Sequence, residues 1–154
     1  LRIGLVWKGN PNHRNDQNRS MKLANVIHNL SPDFEWYSLQ MQVSDADKHL
    51  IDSTSHLTHF GTLIGDFAET AALCTVLDAV VCVDTSIAHL CGSIGQPVHL
   101  LLGYTADSRW HADGDTTPWY AAMRIYRQEP DRCWNRPMQR AISEIKASHT
   151  YRLN

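Results

Sequence analysis

A chain of 154 residues, 43% hydrophobic and 19% charged, is long enough to bury a proper core and reads as one folded domain, not a disordered segment. A formal net charge of −2 excludes a basic field for nucleic acid and a polybasic membrane patch, and no apolar run approaches the roughly 20 residues a spanning helix needs. The cysteines, Cys74, Cys82, Cys91 and Cys133, form no C-x-x-C pair, so they are expected to be reduced thiols of a cytoplasmic protein, with no zinc site.

In chain order, "RIGLVW" opens a strand over 2–7 with no initiator Met and no cleavage pattern before it, which suggests a domain taken from a longer polypeptide. The polar loop 7–20, "WKGNPNHRNDQNRS", follows. Ser20 is the expected N-cap of a helix that places Leu23, Val26, Ile27 and Leu30 on one face. A strand over 34–40 comes next, then a poorly periodic segment, 44–56, taken as helix, and a strand over 57–61. Asp66-x-x-Glu69 opens a helix in the manner of a capping box, with Leu73, Val76, Leu77 and Val80 on its apolar face. The strand 79–84 runs through an Asp84–Thr85–Ser86 elbow into a helix that is expected to bury Ile87, Leu90, Cys91 and Ile94. Gly95 and Pro97 stop that helix. Strands over 98–103 and 123–128 enclose the long 103–120 loop, and a last helix carries Pro137 near its first turn with Met138, Ala141, Ile142 and Ile145 facing inward.

Strands alternating with helices, and near-continuous apolar strands such as "VVCV" and "VHLLL", argue for a parallel sheet covered on both faces. The predicted architecture is a Rossmann-like three-layer α/β/α sandwich with a mainly parallel sheet, one domain over 1–154, without internal repeats.

In such sheets ligands bind beyond the carboxyl ends of the strands. Two strand-end segments carry unusual residues there. One is the 7–20 loop, with Lys8, Asn10, Arg19 and Ser20; the other is the elbow, with His89 one turn further on. Both are expected to run into helix N-termini, whose free N–H groups and partial positive charge favour phosphate. Two such openings with Arg19 and Lys8 suit a diphosphate held without a metal. The plainer alternatives are a solvated Asn-rich connection and ordinary helix caps. Asp84 repels phosphate, so it is expected to cap its helix, to accept from sugar hydroxyls or to face a cation. Within the long loop Tyr104, Arg109 and Trp110, with Trp119 and Tyr120 at its end, are candidates to flank a base or sugar. Aromatics in such loops also serve to pin them to the core.

Competing signatures are missing. There is no G-x-G-x-x-G after the first strand, no G-x-x-x-x-G-K-[ST] and no G-x-S-x-G elbow. His56-x-x-His59 lacks a third metal ligand, and Ser86, His89 and Asp84 lie too close in sequence for a triad.

The segment "VDTSIAHLCGSIGQPVHLLLG" resembles the VDT-x-x-AHL-x-(G/A)-x-x-G-x-P-V stretch of glycosyltransferase family 9, which includes the heptosyltransferases of lipopolysaccharide synthesis. "GLVWKGNPNHRNDQNRS" and "DFAETAALCTVLDAVVCVDTS" are more similar still to glycosyltransferase-like domains fused behind tetratricopeptide repeats in bacterial proteins, a likeness that "WY", "MRIYRQ" and the last helix continue. The resemblance implies the C-terminal, nucleotide-sugar-binding half of a GT-B enzyme. The donor is then the substrate and no cofactor is needed. The family's Asp-Thr pair falls on Asp84 and Thr85, its following His on His89, and its phosphate-contacting basic residue on Arg19 beside Ser20. Where heptosyltransferases have Gly after Asp-Thr this chain has Ser86, which departs from an ADP-heptose site. Base recognition near the start of the preceding helix points to Gly65 and Asp66.

The resemblance further implies metal-independent, inverting transfer to an acceptor that is a glycan, lipid-linked sugar or protein, with the N-terminal half or the repeats of the same polypeptide as partner and the isolated domain inactive. Two other readings stand beside it: a sugar-nucleotide epimerase, for which Glu69 and Asp107 are the available carboxylates, and a non-catalytic scaffold module attached to repeats.

Overall fold

The computed structural model describes residues 1–152. Six strands, β1 (Arg2–Val6), β2 (Glu35–Ser38), β3 (Leu57–His59), β4 (Ala79–Val83), β5 (Val98–Leu102) and β6 (Met123–Arg127), form one sheet in the order β3-β2-β1-β4-β5-β6. Every neighbouring pair is parallel: Ile3 lies opposite both Trp36 and Ala79, and Val83 opposite Leu101. Each strand stops one or two residues before its expected end, because the chain leaves the ladder early to build the loops at that edge. The helices are α1 (Asp16–Arg19), α2 (Leu23–Val26), α3 (Asp45–Asp52), α4 (Phe67–Thr75), α5 (Ser86–Ser93) and α6 (Asn135–Arg152).

Alternate strand residues feed two cores, one on each face of the sheet. Ile3, Leu5, Val81, Val83 and Leu101 pack with Leu23 and Val26 of α2, Ile51 of α3, and Met138, Ala141, Ile142 and Ile145 of α6. Val80, Cys82, Leu100 and Leu102 pack with Cys74 of α4, Ala88 and Cys91 of α5, and Trp110 of the long loop. The expected three-layer α/β/α sandwich is the observed fold. Cys74, Cys82 and Cys91 are buried free thiols, and burial pushes the Cys82 thiol well above its ordinary range.

Local signals acted as written at several points. Asp66 Oδ1 accepts from the Glu69 amide at 2.8 Å while Glu69 Oε2 accepts from the Gly65 amide at 2.6 Å, a reciprocal cap on α4. Gly95 ends α5 in the left-handed region (φ +74°), with Gln96 N donating to the Cys91 carbonyl at 2.9 Å. The segment expected as helix over 44–56 is helical over Asp45–Asp52, capped by Ser44.

Four expectations are corrected. Ser20 is not a helix N-cap: it follows the single turn α1, and α2 begins after Lys22. The helix drawn through Leu30 is one α turn followed by a 3-10 turn over Ile27–Asn29. Val80 lies in β4 and Val76 is exposed, because α4 ends at Thr75. Ile94 is exposed and Leu90 half-buried, because α5 ends at Ser93 and turns Ile87, Ala88 and Cys91 inward.

Candidate functional site

A cleft of about 900 Å³ opens at the carboxyl ends of β1, β2 and β4. It lies where the strand order reverses between β1 and β4, the topological switch point at which parallel sheets bind ligands. Three loops build it: Lys8–Asn12 after β1, Gln40–Ser44 after β2, and Thr85–Ile87 at the opening of α5.

The elbow forms because β4, buried along its whole length, ends at Val83 and turns at once into α5. Thr85 occupies the N-cap position, yet its hydroxyl makes no cap bond. That hydroxyl is buried and has no hydrogen-bond partner among the described residues. A buried hydroxyl left unpaired costs about 1–3 kcal/mol, so it marks a position held for something other than stability. The first amides of α5, at Ser86 and Ile87, have no intrahelical acceptor, and Ser86 is exposed to the cleft.

Across the cleft the 7–20 loop is held by its own polar side chains. Ser20 Oγ accepts from Gly9 N at 2.9 Å and donates to Asp16 Oδ1 at 2.8 Å. Arg19 ties this loop to the elbow: Nη1 donates to the Asp84 carbonyl at 2.8 Å, Nε to Asp16 Oδ1 at 3.2 Å, and Nη2 lies 3.5 Å from the Asn10 carbonyl. The Lys8 ammonium meets Asp47 Oδ2 at 2.7 Å. Burial alone would raise the Asp47 carboxyl; hydrogen bonds from Lys8 and Ser44 outweigh it and hold the group below its ordinary value. Asn10 accepts from Asn12 N through its side chain, shaping the turn at the rim.

The expected pair of helix openings is therefore reduced to one. α1 is a single turn ended by Ser20, so of the two openings expected the one at the elbow remains, where α5 begins on the cleft after Thr85; α3 also begins on the cleft, after Ser44.

Asp84 and His89 sit on the other flank of the elbow. His89 Nδ1 is 3.0 Å from the Tyr120 hydroxyl, its Nε2 is 3.9 Å from Asp84 Oδ1 and 3.4 Å from Arg109 Nη1, and its ring stacks on Trp110 at 5.3 Å. Arg109 is also paired with Asp107 at 2.9 Å. Its hydrogen bonds hold the Asp107 carboxyl down at about 2.

Of the sequence candidates, the cleft gathers Lys8, Asn10, Arg19, Thr85 and Ser86. Asp84, His89 and Arg109 form the adjoining cluster, and Ser20 braces the loop from behind. Trp110 is fully buried and pins the long loop to the core, the second of the two roles weighed for it, whereas Trp119 is exposed and donates to the Arg109 carbonyl. Gly65 and Asp66 make the α4 cap. Tyr104 lines a separate concavity of about 100 Å³ with Asn18, Gln128 and Arg132. His56 and His59 have different partners, the Leu30 carbonyl and Ser38 Oγ.

Sequence reasoning missed the third wall, Gln40–Ser44, and its neighbour Asp47. Gln40 is nearly buried and accepts from Lys8 N at 3.1 Å. The signal lies in position alone, since "QMQVS" begins on the last residue of the strand expected over 34–40.

No helix among the described residues is long and apolar enough to cross a membrane. Protein FlbA of Caulobacter vibrioides is 29% identical over 161 residues, a match that takes in 94% of this chain and 25% of that protein. The chain thus spans about a quarter of that curated relative's length. Among solved structures, E. coli ADP-heptose LPS heptosyltransferase II superposes with a TM-score of 0.64 at 10% identity, over 96% of this chain and 45% of that one. The likeness at that identity is one of fold. The sequence model of glycosyltransferase family 9 (heptosyltransferase) matches residues 48–141, a span that contains the whole elbow and its flanking cluster. With the switch-point cleft and the Asp84–Thr85 elbow set in that fold, the chain belongs to glycosyltransferase family 9.

Proposed function

We propose that the cleft binds the nucleotide-sugar donor of a metal-independent, inverting glycosyltransferase, with the diphosphate at the opening of α5. The observation that carries this reading is Thr85, whose buried hydroxyl lacks a partner at the N-cap of an eight-residue helix in a switch-point cleft. A diphosphate oxygen there accepts from Thr85 Oγ and from the first amides of α5, and the helix dipole adds about 0.3–1 kcal/mol, rising towards 2 when the site is closed over. Asp84, carboxylate on the flank, is placed for sugar hydroxyls and not for phosphate. In the transfer step the acceptor hydroxyl gives its proton to a base of the longer polypeptide, its oxygen attacks the anomeric carbon, the bond from that carbon to the diphosphate oxygen breaks with inversion, and the preorganised amides take up the charge that develops on the leaving group. We assign that step to a longer polypeptide, in which an N-terminal half or tetratricopeptide repeats present the acceptor, whether glycan, lipid-linked sugar or protein.

The test is a thermal-shift and calorimetric panel of UDP, GDP and ADP sugars and CMP sugars. At 100 times the dissociation constant a bound donor adds about 2.7 kcal/mol of stability. Thr85→Val is expected to lose donor affinity with the melting temperature intact, and Thr85→Ser to keep both. A flat panel overturns the proposal.

A non-catalytic module is the second reading, favoured by one observation: both cations of the cleft, Lys8 and Arg19, are already engaged by Asp47, Asp16 and backbone carbonyls. A flat panel would select it. An epimerase has less support, because Glu69 serves the α4 cap and Asp107 pairs with Arg109.

A further inference from the structure

A second concavity, about 350 Å³, lies at the opposite edge of the sheet, where β1, β4, β5 and β6 begin beneath the C-terminal half of α6. Ile3, Ala79, Pro97, Ala122 and Ile145 supply its apolar wall, and the volume suits a small molecule. Asp78, Arg124, Glu144, Ser148 and His149 stand around them. The most buried polar side chain of this groove is His99, more than nine-tenths buried.

Its hydrogen bonds determine which face of the ring the groove meets. Tyr126 donates its hydroxyl proton to Glu144 Oε2 at 2.9 Å, and a carboxylate can only accept. The Tyr126 oxygen, 2.8 Å from His99 Nδ1, is left to accept, so Nδ1 carries the imidazole proton. Nε2 is then a bare lone pair. It has no partner among the described residues, and His99 lines the groove. The ring is neutral, since burial holds its pKa down at about 4. Opposite charges pair at the rim of the groove: Arg2 Nε stands 3.9 Å from Asp78 Oδ2, and Arg124 Nε 3.5 Å from Glu144 Oε1. The buried end of the site therefore offers apolar contact from Ile3, Ala79 and Ile145 and the lone pair of His99 Nε2 as a hydrogen-bond acceptor.

We propose that this groove is a binding site for a small, uncharged, largely apolar alcohol or phenol, whose hydroxyl donates to His99 Nε2. The site lies at the opposite edge of the sheet from the cleft and does not rest on the donor reading.

The experiment uses nitrogen-15 NMR of the whole chain at pH 8, first for the His99 tautomer and then through titrations with phenol and with anisole, which keeps the ring but has no donor. Expected are the Nδ1–H tautomer, amide shifts at Ala79, Ala122 and Ile145 with phenol, and affinity for phenol about fivefold above that for anisole, the worth of one neutral hydrogen bond. Tyr126→Phe, which deletes one oxygen, releases the imidazole to its other tautomer and abolishes the preference. His99→Phe abolishes it too. An Nε2–H tautomer in the wild type, equal binding of the two probes, or shifts outside the groove would each overturn the assignment.

Discussion

Removing Arg19 tests whether the two walls of the cleft are one mechanical unit. Its guanidinium makes one bond to the Asp84 carbonyl at 2.8 Å and one to Asp16 at 3.2 Å, with the side chain 15% exposed. Hydrogen bonds from a charged donor contribute about 1.5–3 kcal/mol each. The 3.5 Å contact to Asn10 is counted as nothing. Relaxation offsets part of the loss, because Asp16 keeps its bond from Ser20 and the freed carbonyl can turn to water in the cleft. Arg19→Ala is therefore expected to lose about 1.5–3 kcal/mol, half of the gross figure. At this chain length that lowers the melting temperature by roughly 3–12 °C. Urea unfolding followed by tryptophan fluorescence measures it, since Trp7, Trp36 and Trp110 are fully buried. Arg19→Lys, which cannot span both acceptors, should fall between. A loss below about 0.5 kcal/mol for Arg19→Ala would show the guanidinium to be an ordinary solvated charge and the clamp argument wrong.

Three further outcomes are expected. His99 is held neutral to about pH 4 in the native chain against 6.5 when unfolded, so between those values the unfolded chain binds the extra proton. Wild-type stability should then fall by about 3 kcal/mol relative to His99→Phe as the pH drops from 6.5 to 4, with no divergence above 6.5; parallel urea-unfolding profiles would contradict the burial argument. Asp66→Ala should cost about 1 kcal/mol, visible as faster hydrogen exchange in the first turn of α4. A methyl at Gly103 would run into the Asn18 carbonyl oxygen, so Gly103→Ala should cost about 1–3 kcal/mol in denaturant unfolding and weaken donor binding by moving the 7–20 loop.

The layers of this fold were legible because the decisive information is local. "VVCV" and "VHLLL" are near-continuous apolar runs and become the interior strands β4 and β5, while Asp66, Glu69 and Gly95 set helix ends through bonds to near neighbours. The helix after β1 was misread for the same reason seen from the other side. Leu23, Val26 and Leu30 are all buried, which satisfies a helical period, yet a single α turn with a 3-10 turn buries them equally well.

The sequence by itself determined an alternating α/β chain with a polar elbow after an apolar strand, and a family likeness resting on "VDTSIAHL". Tertiary structure decided the rest. Arg19 and Asp84 are far apart along the chain, so their bond depends on which loops the strand order β3-β2-β1-β4-β5-β6 brings together. The same holds for Asp47 at Lys8 and for the relay that leaves His99 Nε2 bare. Whether a cation is free or an acceptor unpaired is a property of three-dimensional neighbours, and spacing along a chain does not specify them.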